Sequence, residues 1–143
     1  MVKFDERAIL DNGAYIYAMR QEIEAIADAV CEKGFDNILF TASGGSLAMM
    51  QPFDYMISVM SGLDVRSQVS AELLGVGNNR LTDRTLVFMA SKSGDTKETV
   101  EAAGYVKEKG AAIISVLGVE GSPLGGLSDY TVVYKDGRPQ EFV

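Results

Sequence analysis

Residues 86–99 read LVFMASKSGDTKET, and this stretch combines an apolar run, a short polar turn and the start of an amphipathic segment. The five apolar residues 86–90 are typical of a strand that is buried on both faces. The spacing of apolar residues over 96–106 predicts a helix. A strand that passes through a tight turn directly into a helix is the repeating unit of a parallel α/β sheet.

The turn between this strand and helix is rich in hydroxyl groups. Ser91, Ser93 and Thr96 can all offer hydroxyls, and the first N–H groups of the helix point into the same space. The positive end of the helix dipole favours an anion there. A plain helix cap by Ser93, Asp95 or Thr96 is the alternative, but a cap needs one such residue and not three. The turn therefore predicts a phosphate-binding loop.

The same pattern occurs earlier in the chain. Residues 37–42 predict a strand, Ser43-Gly44-Gly45-Ser46 follows it, and a methionine-rich helical pattern covers 47–60. Glycines allow a backbone to come close to a ligand and to take positive φ angles. A simple strand-to-helix turn remains the alternative here, although the repetition favours a second part of one binding site.

The remaining elements complete an alternation of helices and strands. We expect a helix over residues 5–33, interrupted near Asn12-Gly13 and stopped by Gly34. The other predicted elements are an edge strand at 64–69, a short helix from 70, a helix at 96–109, a central strand at 111–118, a helical turn starting with Pro123, and an edge strand at 129–134. This order predicts an α/β fold: a three-layer αβα sandwich around a five-stranded parallel sheet, flavodoxin-like or Rossmann-like.

Glu72 is the one carboxylate that a predicted strand end would carry toward the same rim of the sheet. It is therefore a weak candidate for a catalytic base. The alternative is a first-turn glutamate that stabilises its own helix through the dipole.

Composition excludes several classes of function. The 143 residues carry a net charge of −7, which argues against a nucleic-acid or anionic-membrane partner. No apolar run approaches the length of a membrane span, no leader pattern is visible, and the single cysteine allows no internal disulfide, so we expect a cytoplasmic protein. The chain has no histidine, no dinucleotide fingerprint and no Walker motif, so we expect no metal and no cofactor.

The order of these motifs over residues 37–134 resembles that of the sugar isomerase (SIS) domain family. Ser91-Lys92-Ser93-Gly94-Asp95-Thr96 is similar to the phosphate loop found in glucosamine-6-phosphate synthases and in fructosamine-6-phosphate deglycases. The resemblance implies a phosphosugar site formed by hydroxyls of Ser46, Ser91, Ser93 and Thr96, backbone at Lys92 and Gly94, and the loop Ser43, Gly44, Gly45. The side chain of Lys92 replaces a residue that is often neutral in the family, and we expect it to contact the phosphate.

The resemblance also implies what this chain would bind and do. The expected ligands belong to the class of fructose 6-phosphate, glucosamine 6-phosphate and fructosamine 6-phosphate. The expected activity is aldose–ketose isomerisation or deglycation, and a non-catalytic phosphosugar sensor is the alternative. Family enzymes take their general base and ring-opening histidine from a second SIS domain, so this sequence resembles an amino-terminal half, with residues 136–141 leading toward the next helix.

The resemblance divides the chain into a packing-helix region at 1–35 and one SIS domain at 36–143. The methionine-rich helix at 47–60 and the amphipathic first helix carry more apolar surface than one small sheet covers. We therefore expect a homodimer.

Overall fold

The computed structural model of the chain describes residues 6–134. Its helices are α1 (Glu6–Ala18), α2 (Arg20–Lys33), α3 (Gly44–Met60), α4 (Ser70–Val76), α5 (Lys97–Glu108) and α6 (Pro123–Leu127). Its strands are β1 (Asn37–Ala42), β2 (Asp64–Val69), β3 (Thr85–Ser91), β4 (Ala112–Leu117) and β5 (Tyr130–Val133).

The five strands form one sheet in the order β2-β1-β3-β4-β5, and every neighbouring pair is parallel. This is the flavodoxin-like order. It confirms the predicted five-stranded parallel sheet, with β2 and β5 at the edges and β4 inside.

Side chains of the strands alternate between two apolar layers. Ile38 and Phe40 face one side of the sheet, and Leu39 faces the other. On the first side the strands pack against Val30 of α2 and against Leu47 and Met50 of α3. On the second side they pack against Leu73 of α4, Val106 of α5 and Leu124 of α6. The sheet is therefore covered on both faces, as the three-layer prediction requires.

The predicted interruption near Asn12-Gly13 is wrong, because α1 runs through both residues. One glycine costs a helix only about 1 kcal/mol relative to alanine, which is too little to end it here. The break lies at Met19, which is 7% exposed. The Met19 amide lies 3.3 Å from the Tyr15 carbonyl and 3.1 Å from the Ile16 carbonyl. The last turn of α1 thus tightens where a large apolar side chain becomes buried.

The predicted start of α3 at residue 47 is three residues late. The helix begins at Gly44, which takes φ +54° after the extended Ser43. Gly44, Gly45 and Ser46 are therefore the first turn of a helix, and their amides belong to its amino-terminal end. The predicted lead into a further helix at 136–141 lies outside the described residues.

Asp129 ties the start of β5 to the elements beside it. One of its carboxylate oxygens lies 2.8 Å from Lys107 Nζ, and the other accepts a hydrogen bond from the Ile113 amide at 2.8 Å. Partial burial raises the pKa of this carboxyl, but the hydrogen bonds from Lys107 and Ile113 and the nearby positive charge outweigh burial. The net effect is a pKa lower than that of an ordinary aspartate.

Asp129→Asn is expected to lower the free energy of unfolding by about 1–2 kcal/mol at pH 7, less than a fully buried charged hydrogen bond would contribute. Because the folded-state pKa lies below the unfolded one, this stability is present above about pH 4. It disappears as the pH falls through the folded-state pKa.

Urea denaturation of wild type and Asp129→Asn across this pH range measures the difference in their free energies of unfolding. That difference should decrease as the pH falls. Asp28→Asn, on the exposed face of α2, is the control. A difference between wild type and Asp129→Asn that stays constant with pH would contradict the assigned role.

Candidate functional site

The carboxyl ends of β1 and β3 lie side by side at the centre of the sheet. Their register pairs Ala42 with Ala90, so Ser43 and Ser91 follow at the same level. From this point the chain leaves in opposite directions, through α3 to β2 on one side and through α5 to β4 on the other. Ligands of parallel α/β sheets collect at such a switch point.

The β3–α5 loop (residues 91–96) is closed by its own side chains. Ser91, which is 4% exposed, accepts a hydrogen bond from the Gly94 amide at 3.0 Å. Its Oγ also lies 3.2 Å from Thr96 Oγ1. Gly94 takes φ +72°, which a side chain would disfavour. The loop is therefore a tight, internally bonded turn.

Thr96 occupies the N-cap position of α5, yet its side chain makes no capping hydrogen bond to that helix. The hydroxyl faces Ser91 instead. The simple capping role considered for Thr96 is therefore not what its hydroxyl does within the described structure. The first amides of α5 keep their capacity to bind another acceptor.

The β1–α3 turn repeats this arrangement. Ser43 is the N-cap residue of α3 and likewise makes no side-chain cap within the described range. Its Oγ lies 3.3 Å from Oγ1 of Thr99, which is 1% exposed on the inner side of α5. This hydrogen bond joins the two turns. Thr99 was missed as a site residue, although its place three residues after Thr96, on the same side of the helix, was a usable signal.

The start of α3 is open to solvent. Gly44 and Gly45 are exposed, and a Cβ atom placed on either would meet no atom within 4 Å. Ser46 is half-buried. A ligand can therefore reach the amides of this first turn without a side chain in its path.

The electrostatics of the site come from the backbone. Helices α3 and α5, of 17 and 12 residues, direct their amino ends to the same region. The positive charges of Lys92 and Lys97 are balanced by the negative charges of Asp95 and Glu98, and all four side chains are exposed. The side-chain charges nearly cancel, so the partial positive charge of the two helix ends favours an anion.

The structure places the predicted binding residues on these two turns, with different accessibility. Lys92 and Ser93 are exposed, Ser43, Ser46 and Thr96 are half-buried, and Ser91 and Gly94 are buried. Exposed or half-buried residues can contact a ligand directly. Ser91 and Gly94 shape the turn, and their contact with a ligand stays a prediction.

Glu72 is exposed in the first turn of α4, which follows the edge strand β2. With Arg66, Gln68 and Arg80 it lines an open depression of about 470 Å³ along that edge. Its candidacy as a base stays a prediction.

A small cavity of about 10 Å³ lies at the opposite end of the sheet, lined by Asn37, Asp64 and Arg80 among others. That volume matches about one water molecule, so the cavity cannot hold a sugar.

No helix between residues 6 and 134 combines the length and hydrophobicity of a membrane crossing. In the same range no three histidine, cysteine, aspartate or glutamate side chains are grouped so as to hold a metal ion.

Comparison with known proteins identifies the family. The SIS domain family matches residues 34–141, and the chain belongs to it. The sequence is 32% identical to the fructosamine deglycase FrlB of Bacillus subtilis over 83% of this chain and 37% of that protein. It is 33% identical to the isomerizing glutamine–fructose-6-phosphate aminotransferase of Methanococcus maripaludis over 93% of this chain and 21% of that protein.

A solved structure shares both fold and sequence with the chain. It is a candidate phosphosugar isomerase from Salmonella typhimurium, 33% identical, with a TM-score of 0.74 over 84% of this chain and 36% of the other. The chain thus spans little more than a third of the length of the deglycase and this isomerase, and about a fifth of the aminotransferase. These findings confirm the predicted family and fold.

Thr99→Val tests the hydrogen bond that joins the two turns. Valine keeps the shape of threonine but removes the hydroxyl, so Ser43 loses its partner. The free energy of unfolding is expected to fall by about 0.5–1.5 kcal/mol, measured by urea denaturation. Thr131→Val in the edge strand β5 is the matched control. An equal effect of both substitutions would contradict the link.

Proposed function

We propose that this domain binds a phosphorylated sugar, with the phosphate held between the amino ends of α3 and α5. One observation carries the proposal: two neighbouring helices begin at the centre of the sheet, and neither N-cap hydroxyl caps its own helix. Those hydroxyls bond to Thr99 and Ser91 instead. A phosphate dianion provides the acceptors that the helix-end amides lack.

Four side chains are accessible enough for direct contact with the ligand. Ser93 and Lys92 are exposed on the β3–α5 loop, and Thr96 and Ser46 are half-buried at the two helix starts. We assign the three hydroxyls to the phosphate oxygens and the Lys92 ammonium to the outer side of the same group. Hydrogen bonds to a charged group are the strong ones.

Buried members of the site act mainly by shaping it. Ser91 accepts the Gly94 amide and also bonds Thr96 Oγ1, so its hydroxyl has capacity for one further hydrogen bond. Ser43 fixes the β1–α3 turn to α5 through Thr99. Gly44 and Gly45 leave room for the sugar phosphate to reach the backbone.

The relatives suggest the class of sugar. Their names specify a fructosamine and fructose 6-phosphate, both ketoses that carry or receive an amino group. We therefore propose fructose 6-phosphate, glucosamine 6-phosphate or fructosamine 6-phosphate as ligands. We propose a cytoplasmic location, where an exposed thiol such as that of Cys31 stays reduced.

We propose that the domain works within an isomerase or deglycase that acts on the open-chain sugar. Proton transfer between carbons 1 and 2 needs a positioned base. The chain has no histidine, and Glu72 lies at the edge of the sheet, so the acid–base groups would come from a second domain or subunit. A phosphosugar sensor is the alternative, and it predicts binding without turnover even when every partner is present.

We propose homodimer formation through α3. Met49, Phe53, Met56 and Met60 recur at spacings of four, three and four, which places them on one side of the helix. They are 58%, 54%, 50% and 79% exposed. Asp54 is the single charged residue among the 17 of α3. A contiguous apolar stripe of this kind favours burial against another protein surface.

Ser93→Ala is expected to weaken fructose 6-phosphate binding by ~1.5–3 kcal/mol, the value of a hydrogen bond to a charged group, which is roughly ten- to a hundredfold in affinity. Calorimetry with fructose 6-phosphate, glucose 6-phosphate and inorganic phosphate measures it, alongside a turnover assay. Ser58→Ala, exposed in the last turns of α3, is the matched control. Equal affinity of wild type and Ser93→Ala would reject the assigned phosphate loop.

Phe53→Glu is expected to convert a dimer into a monomer, because it places a charge in the middle of the apolar stripe. Size-exclusion chromatography with light scattering at micromolar concentration measures the mass. Gln51→Glu adds the same charge on a different side of α3 and should leave the dimer intact. A wild-type protein that is already monomeric would contradict the proposed interface.

A further inference from the structure

We infer that the segment Gly118–Leu124, which follows β4 and includes the first two residues of α6, is a positioning clamp that holds the β3–α5 loop in its anion-binding shape. This inference rests on the proposed function and deepens it. Two backbone hydrogen bonds join the segment to the loop: the Gly118 amide donates to the Lys92 carbonyl at 3.1 Å, and the Leu124 amide donates to the Gly94 carbonyl at 2.9 Å.

The two bonds determine where the loop amides point. In a trans peptide unit the carbonyl and the next N–H are antiparallel, and the described range holds trans peptides. The Lys92 and Gly94 carbonyls face the clamp, so the N–H groups of Ser93 and Asp95 face away from it. Neither of these amides has a hydrogen-bond partner among residues 6–134.

This orientation matters for an anion. Carbonyl oxygens repel phosphate and amide N–H groups attract it, and successive N–H groups aimed at one point form an anion-binding concavity. The two hydrogen bonds turn the carbonyl oxygens of Lys92 and Gly94 away from the open side of the loop. The N–H groups of Ser93 and Asp95 stay on that open side.

Close packing makes the clamp sensitive to single atoms. A Cβ atom on Gly118 would lie 2.6 Å from the Lys92 carbonyl oxygen, and one on Gly94 would lie 2.1 Å from Ser122 Oγ. Ser122 is 5% exposed, and its Oγ has no hydrogen-bond partner among the described residues. The Ser122 hydroxyl therefore occupies the space beside position 94, and only glycine, which has no Cβ atom, fits there.

The core holds the clamp in place from behind. Leu117, directly before the segment, and Leu124, its last residue, are fully buried in the apolar layer that also contains Val106 of α5. Because these two leucines are packed in the core, the clamp restricts the movement of a loop that lies at the surface. Both sides of the loop, strand and helix, are anchored in the same layer.

Gly118→Ala tests the clamp. The added methyl group must displace the Lys92 carbonyl, so the Ser93 amide turns and the affinity for fructose 6-phosphate falls about tenfold or more. Gly126→Ala in α6, where a Cβ meets no atom within 4 Å, is the matched control and should bind as wild type does. The free energy of unfolding is measured for each protein.

A second variant covers the case in which Gly118→Ala does not fold. Ser122→Thr adds one methyl group to the side chain that fills the space beside Gly94, without changing the core leucines, and about a fivefold or greater loss of affinity is expected. Amide NMR during titration with inorganic phosphate provides the specific readout. The Ser93 and Asp95 amides should shift in the wild type and in Gly126→Ala, and lose that response in the clamp variants.

The outcomes separate the two proposals. If the wild type does not bind phosphate or fructose 6-phosphate, the proposed function fails and the clamp fails with it. If the wild type binds and a folded clamp variant binds equally well with the same amide shifts, the clamp alone is overturned.

Discussion

The parallel pairing of β1 with β3 is the constraint on which the rest of the structure depends. It sets Ala42 against Ala90, so the two serines that follow leave the sheet at one level. Because the chain departs from these strands in opposite directions, α3 and α5 begin beside the same crevice. A one-residue slip would send every side chain of β3 to the other face, so Val87 and Met89 would exchange layers with Phe88 and Ala90. Packing of the two layers therefore determines where the candidate site lies.

An acidic protein can hold an anion because local fields outweigh net charge. The chain carries −7 overall, and charges beyond about 8–10 Å are screened at physiological ionic strength. In the proposed site the amino ends of two helices would act at contact distance, because backbone N–H groups can bond an anion directly. The hydroxyls of Ser43 and Thr96 bond elsewhere and leave these amides available.

Local sequence patterns predicted much of this arrangement. The apolar runs of β1, β3 and β4 and the glycine stop after α2 lie where the patterns placed them, because burial on both faces demands a continuous apolar strand. Boundaries that depend on tertiary contacts were wrong. Gly13 lies inside α1, because the low helix propensity of a single glycine is too weak to end a helix. The helices are interrupted instead at Met19, whose side chain is buried.

The sequence by itself determined the strand-turn-helix units, their parallel assembly and the hydroxyl-rich turns, because these follow from residue periodicity and from the conformations that glycine and serine allow. Only the tertiary structure decided which hydroxyls face outward. Ser91 and Ser93 are two residues apart in one motif, yet one is buried and bonded within the loop and the other is exposed. The pairing of Ser43 with Thr99 and the clamp from Gly118 and Leu124 join segments that are distant in sequence. No local pattern encodes such contacts, since they exist only once the sheet brings those segments together.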